Sequence, residues 1–347
     1  MSARLIEIFV IFVVVKSVVE IFSELGKRLS GFGLDEESRS VEVRAVAENE
    51  WFSSRDIRYA VNAICSEMLN AEKIEKWLSH YPAVATSEAK RVAIIMAGNI
   101  PLVGFFDLMC VLASGNIPFV KPSSKDRVLE AYVERLLREI EPELRIEKYV
   151  EGAEYDAVIA TGGESANLYF KSAFAGTPCL LRGSRHSVAV LSEREVADVV
   201  VEALADDLFS YSGLGCRNVS LIFAPKGCKL RLRCHGMCRA YHNNYLQCKA
   251  LLTMTGVKFK DLGEAVEVLL PQAEFPRFLS QINVVEYSSL AEVKQWLADN
   301  DRSLQCVVSD IEGLHSRCVP IGRAQHPTLF DYADERDTMQ FLSTIGV

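Results

Sequence analysis

The feature that most limits the fold is a change of texture near residue 90. Arg91-Val-Ala-Ile-Ile-Met96 is a short, apolar, β-branched run, the mark of a strand buried on both faces. It ends in Ala97-Gly-Asn-Ile-Pro101, an apolar helix is predicted over about 102–114, Gly115 closes it, and Ile117–Val120 reads as the next strand. Strand, turn, helix and strand within about thirty residues make a βαβ unit, which requires a parallel sheet. The alternation then continues. Helices are expected at Asp126–Glu139, Ser165–Ala175, Glu193–Leu208, His235–Met254 and Leu290–Asn300, with strands at Ile146–Tyr149, Ala157–Ala160, Cys179–Leu181, Val188–Leu191, Val219–Ala224, Val266–Leu270, Ile282–Glu286 and Leu304–Ser309. No internal repeat or low-complexity linker interrupts the pattern. A break near Leu191 predicts two α/β lobes.

Ahead of this core, Ile8–Val15 is apolar but far short of the roughly 20 residues that span a bilayer. Val18, Val19, Phe22, Leu25 and Leu29 follow at helical spacing, so Ile6–Ser30 is expected to be one amphipathic helix rather than a membrane anchor. Leu34–Ala47 reads as a charged loop. Ser53 suits a helix N-cap before Ile57, Ala60, Ile64 and Met68, and a second helix runs from about Ala71 to His80. The 347 residues suffice for two domains, and the net charge of -8 without a basic tract argues against nucleic acid as partner. Ten cysteines with no even framework are expected to be reduced thiols in a cytoplasmic protein.

One of those cysteines stands apart. In Ser210-Tyr-Ser-Gly-Leu-Gly-Cys-Arg-Asn-Val-Ser220, two glycines precede Cys216 and a strand follows it. Glycines before a nucleophile let the backbone turn sharply, and Arg217 would favour the reactive thiolate. The alternative is that Cys216 is one more buried small hydrophobe.

Three separated pieces resemble the aldehyde dehydrogenase superfamily. Ala97-Gly-Asn-Ile-Pro-Leu, with Ala113-Ser-Gly-Asn-Ile-Pro-Phe-Val-Lys-Pro-Ser-Ser124, is similar to its Asn-x-Pro turn, helix and Lys-Pro-Ser-Glu motif. Thr161-Gly-Gly163 resembles the Thr-Gly-Ser cofactor turn, and Phe209-x-x-x-Gly213-x-x-Cys216 the Phe-x-x-x-Gly-Gln-x-Cys nucleophile signature. Within the superfamily the chain looks most like fatty-acyl-CoA reductases related to the reductase of bacterial bioluminescence. Asn116–Ser124, Leu181–Ser187 and the tail Ile321–Asp334 carry that likeness. The resemblance implies an aldehyde-dehydrogenase-like α/β fold with a helical arm at 1–48, a Rossmann-type cofactor domain at 49–191 and a smaller α/β catalytic domain at 192–320. It places 321–347 back on the cofactor domain or at an oligomer interface. Cys216 would attack a thioester carbonyl and release CoA, with Asn99 and the Cys216 backbone N–H binding the developing oxyanion. Asn99 is otherwise a plain turn residue before Pro101. Lys121, Ser124, Thr161, Gly162 and Gly163 would hold the nicotinamide cofactor.

The departures from the superfamily pattern also speak. Ser124, followed by Lys125, replaces the ribose-binding glutamate, which favours the extra phosphate of NADPH. Leu181 replaces the glutamate that activates water in aldehyde-oxidising members, which favours reduction of an acyl donor. Leu214 stands for the signature's glutamine, and no Glu-x-Phe-Gly-Pro motif is present. The implied activity is NADPH-dependent reduction of a fatty acyl-CoA, or acyl-protein thioester, to the aldehyde. A different acyl donor, or a non-catalytic acyl-binding relative, is the alternative. A homo-oligomer is implied, with an acyl-transfer or ligase protein as a further partner. Cys228, Cys234, His235, Cys238 and His242 invite a zinc reading, with His235, Cys238 and His242 on one helical face. No Cys-x-x-Cys pair supports it, so no metal is expected. Lys226, Lys229, Arg231, Arg233 and Arg239 read as a solvated basic face, and His186 and His326 as candidate proton donors.

Overall fold

The computed structural model describes residues 18–81, 89–194 and 196–345. Its chain divides into two compact units, one of residues 1–49, 57–183 and 327–347, the other of residues 50–56 and 184–326.

The first unit is built on a five-stranded parallel sheet in the order β3-β2-β1-β4-β5. The strands are β1 (Arg91–Ile95), β2 (Ile117–Lys121), β3 (Glu147–Lys148), β4 (Ala157–Thr161) and β5 (Cys179–Arg182). This is the 3-2-1-4-5 order of a dinucleotide-binding fold, whose direction reverses between β1 and β4. Val92, Ala93 and Ile94 are all but fully buried, as the uninterrupted apolar run requires. Helix α5 (Phe105–Ala113), the crossover from β1 to β2, buries seven of its nine residues. Helices α6 (Arg127–Ile140) and α7 (Glu164–Ala173) make the later crossovers.

Residues 18–29 form helix α1, with Phe22, Leu25 and Leu29 buried. Residues 6–17 of the helix expected there lie outside the described residues. The stretch Leu34–Ala47, expected to be a loop, is instead helix α2 (Glu36–Glu48), packed on α6. Asp35 caps it by accepting from the Ser38 N–H at 2.8 Å, and Ser38, Val41, Glu42 and Ala45 form its buried side. Two of those four are polar, which hides the apolar period. Buried Glu42 is paired with Arg58 on α3 (Ser54–Glu67) at 2.7 Å. Helix α4 (Ala71–Leu78) follows, capped by Asn70.

The carboxyl-terminal residues finish this unit. Buried Arg182 pairs with buried Asp107 on α5 and donates to Thr338 Oγ1 at 2.6 Å, where α11 (Thr338–Ser343) begins. Fully buried Trp77 donates to the Tyr332 hydroxyl at 2.7 Å, and Tyr81 donates to Asp337 at 2.7 Å.

The second unit holds a seven-stranded sheet, β12-β11-β6-β7-β10-β9-β8, parallel except for the β8–β9 pair. Its inner strands are β6 (His186–Val190), β7 (Val219–Pro225), β10 (Gln281–Tyr287), β9 (Val266–Leu270) and β11 (Leu304–Val308), with β8 (Lys260–Asp261) and β12 (Cys318–Val319) at the edges. Helices α8 (Asp198–Phe209), α9 (Arg239–Met254) and α10 (Leu290–Asp299) complete it. The chain crosses into this unit at Gly183/Ser184, ahead of the textural break at Leu191, because β6 pairs with β7 and β11 and not with β5. Among the described residues no helix is long and apolar enough to cross a membrane.

Removing one partner of the Asp107–Arg182 pair leaves a buried charge unmatched. Arg182→Met is expected to cost about 3–5 kcal/mol, read from urea denaturation. The double variant Asp107→Leu/Arg182→Met should recover most of that loss, showing the pair to be a coupled unit.

Candidate active site

In the first unit the register sets the site. Ile95 lies beside Lys121 of β2 on one side and beside Ala160 of β4 on the other, so three neighbouring strands end at one level. The loop after β1 carries Asn99, β2 ends in Lys121 and leads to Ser124, and β4 ends in Thr161 ahead of Gly162 and Gly163. Leu181 of β5 pairs with Ala160 and reaches the same edge. Six of the seven expected site residues therefore share the carboxyl edge of one sheet, the edge at which open α/β sheets take ligands.

Close packing shapes these loops. A Cβ on Gly98 would lie 2.5 Å from the Ser123 side chain, so the Asn99 loop and the Ser124 loop touch only because residue 98 is glycine. Leu102 adopts φ 56° and donates its N–H to Asp126 Oδ2 at 2.6 Å. The Ser124 loop is anchored in turn by the Asn49 amide, which donates to the Lys125 carbonyl at 3.1 Å. Lys121 lies over the Tyr149 ring, and Ser124 and Lys125 are exposed.

A dinucleotide phosphate needs unencumbered backbone N–H groups and nearby positive charge. A Cβ built on Gly163 meets nothing within 4 Å, and no side chain caps α7, whose first turn starts there. Glu164 adds one negative charge beside it, Lys121 and Lys125 two positive ones along the edge. The residues present fit such a group.

Asp126 and Glu130 are buried beneath these loops, one helical turn apart. Burial, then the neighbouring Glu130, pushes the Asp126 carboxyl up to about 9; burial, then Glu134, pushes Glu130 up to about 8.

Cys216 lies in the second unit. Helix α8 ends at Phe209, and Tyr211, Ser212 and Gly213 follow at φ 55°, 54° and 68°, three left-handed residues in a row. For Tyr211 and Ser212 this costs about 1–3 kcal/mol each. The conformation is held by the Tyr211 N–H, which donates to Asp56 Oδ1 at 3.0 Å, and by burial of both side chains. A turn then runs from Gly215 to Asn218 with half-buried Cys216 at its second position. Fully buried Ser187, on β6, donates its hydroxyl to the Cys216 carbonyl at 2.8 Å.

Other sequence candidates resolve differently. Helix α9 starts at Arg239 with Cys238 as its N-cap, so His235 and Cys238 precede the helix and the face expected to join them to His242 does not form. Gly263 comes so near His235 that a Cβ would lie 2.5 Å from its ring, and His242 pairs with Glu264 at 3.1 Å. Among the described residues no group of three or more His, Cys, Asp or Glu is arranged to hold a metal ion. Lys229, Arg231 and Arg233 are exposed in alternation with buried Leu230, Leu232 and Cys234. His186 stacks on Phe275 at 4.1 Å, and burial lowers its pKa. Sequence reading passed over Ser187, Asn218 and Asp207. Only Asn218 left a signal, an amide side chain three residues after Gly215 and within reach of that glycine's N–H.

The acyl-CoA reductase (LuxC) family profile matches residues 50–237, more than half the chain. The chain belongs to that family. Membership places it among the aldehyde-related oxidoreductases. Solved structures share the fold at low identity. Aldehyde dehydrogenase 21 from Physcomitrella patens, in complex with succinate, is 11% identical over 95% of this chain and 84% of its own, with a TM-score of 0.67. A propionaldehyde dehydrogenase from a Clostridium phytofermentans microcompartment is 12% identical over 92% and 83%, at 0.57. A glyceraldehyde-3-phosphate dehydrogenase from Methanocaldococcus jannaschii, complexed with NADP, is 12% identical over 86% and 77%, at 0.59. No curated protein matches the chain by sequence.

The carboxyl pair predicts a pH dependence. Both folded-state pKa values lie above those of the unfolded chain, so the stability they contribute is full below about pH 4 and is lost as pH rises toward 9. Melting temperatures of Asp126→Asn, in which the amide oxygen still accepts from Leu102, should fall less between pH 6 and 9 than those of the parent protein.

Proposed function

We propose that the chain reduces a fatty acyl-CoA thioester to the aldehyde with NADPH, through a thioacyl group on Cys216. The observation that carries this reading is the family match, whose span of residues 50–237 takes in the three loops of the first unit and Cys216. The Cys216 thiolate attacks the thioester carbonyl, the C–S bond to CoA breaks, and CoA leaves as thiolate. Asn99 and the Cys216 N–H stabilise the charge on the carbonyl oxygen during that exchange. NADPH, when bound, supplies a hydride to the acyl carbon. Cys216 then departs as the thiolate with which the cycle began, which frees the aldehyde, and the released CoA thiolate takes up the one proton that the reaction consumes.

Lys121, Ser124 and the Gly163 turn would hold the cofactor. Serine with Lys125 beside it accepts the 2′-phosphate that a carboxylate would repel. The nicotinamide cofactor also agrees with the NADP in the Methanocaldococcus fold relative. Leu181 keeps a water-activating base away from the thioacyl group. Hydrolysis would otherwise drain the intermediate before reduction.

Incubation with a long-chain acyl-CoA should add one acyl mass to the protein, absent in Cys216→Ala, and NADPH absorbance should fall only with the parent. An unmodified chain that leaves NADPH unchanged would instead mark an acyl-binding subunit, and an adduct formed only with short or aromatic donors would change the substrate class. Ser124→Glu should shift preference toward NADH by about tenfold. Leu181→Glu should release CoA and free acid without oxidising NADPH.

A further inference from the structure

Asn218 is buried, 5% exposed, and every polar atom of its side chain and its backbone N–H is engaged around Cys216. Its Oδ1 accepts the Gly215 N–H at 2.8 Å, while its own N–H donates to the Gly215 carbonyl at 3.0 Å, closing the turn from both ends. Its Nδ2 donates to the carbonyls of Ser210 at 2.9 Å and of Leu208 and Asp207 at 3.3 Å. Asp207 and Leu208 are in the last turn of α8, whose carbonyls carry the negative end of the helix dipole, and Ser210 is the C-cap residue that follows it. The next element outward is fixed as well, since Asp207, fully buried, accepts the N–H groups of Gly322 and Ala324 at 2.6 and 2.9 Å.

We propose that Asn218 is the positioning residue for Cys216, setting the direction of its side chain and masking the α8 carbonyls that would otherwise oppose its thiolate. The proposal rests on Cys216 being the nucleophile, but it makes a claim of its own about this turn. Both halves of the amide are needed: one atom must accept from Gly215 and the other must donate to the helix end. Aspartate keeps the acceptor, loses the donors and sets a second negative group against three carbonyl oxygens. Alanine loses both. Ser187 supplies the remaining hold, on the Cys216 carbonyl.

The test is alkylation of Cys216 by iodoacetamide across pH in the full chain, followed by mass spectrometry of the tryptic peptide ending at Arg217, whose one cysteine is Cys216. Asn218→Asp should raise the pH of half-maximal alkylation by about one unit. Asn218→Ala and Asn218→Asp should lower kcat about 100-fold and change the acyl-CoA KM by less than about twofold. Folding of each variant is checked by circular dichroism. Folded variants that keep the parent's alkylation profile and kcat overturn the proposal, as does failure of both to fold, which would make Asn218 a requirement of the fold rather than of the site. Alkylation needs no acyl donor. An altered profile in a chain whose parent forms no acyl adduct would therefore sink the reductase reading and leave the positioning role standing.

Discussion

The register of β1 between β2 and β4 is the constraint on which the rest of the first unit depends. Parallel pairing directs three consecutive strands to one edge, and the level ends at Ile95, Lys121 and Ala160 bring loops distant in sequence side by side. Such a sheet must be covered on both faces. That explains why α5 is almost wholly buried, and why its one charged residue, Asp107, has a buried arginine against it. Glycine at 98 and 163 serves two different ends. The first lets two loops touch, and the second leaves space at the start of α7.

The Cys216 turn follows a different logic. Here the backbone occupies conformations that tyrosine and serine seldom adopt, and the surroundings over-determine them. Asp56 and Ser187 each fix one peptide group of the segment from elsewhere in the sequence, and Asn218 holds the Gly215 N–H and the Ser210 carbonyl from within it. A flexible cysteine loop would spend time out of position. A turn closed at both ends holds the cysteine in one geometry.

Much of this was legible in the residues themselves. The βαβ alternation was readable because buried parallel strands are continuous apolar runs, and β1, β2, β4 and β7 fall within a residue or so of their expected limits. Helix α2 was not, since two of its four buried residues are Ser38 and Glu42, whose burial depends on partners the local sequence does not reveal. The start of α9 was misjudged for a related reason: Arg231 and Arg233 alternate with buried leucines in an extended segment held by distant partners, the Lys229 N–H on the Arg194 carbonyl at 2.7 Å, the Lys260 ammonium on the Leu230 carbonyl at 2.8 Å and the Cys234 N–H on the Leu262 carbonyl at 2.8 Å. The glycines before Cys216 singled that residue out, and the family resemblance proposed Asn99. Neither could point to Ser187, whose importance is purely a matter of strand pairing.

The order in which the chain leaves and rejoins the first unit has a consequence for its biogenesis. Residues 184–326 are contiguous and form nearly all of the second unit, whereas the first waits for residues 327–347 to supply Tyr332, Asp337 and Thr338 to Trp77, Tyr81 and Arg182. On the ribosome the later-encoded unit can therefore complete its core first. The earlier one keeps the Trp77 indole N–H and one arm of the Arg182 guanidinium, already paired with Asp107 through the other, without their partners until Tyr332 and Thr338 have been made.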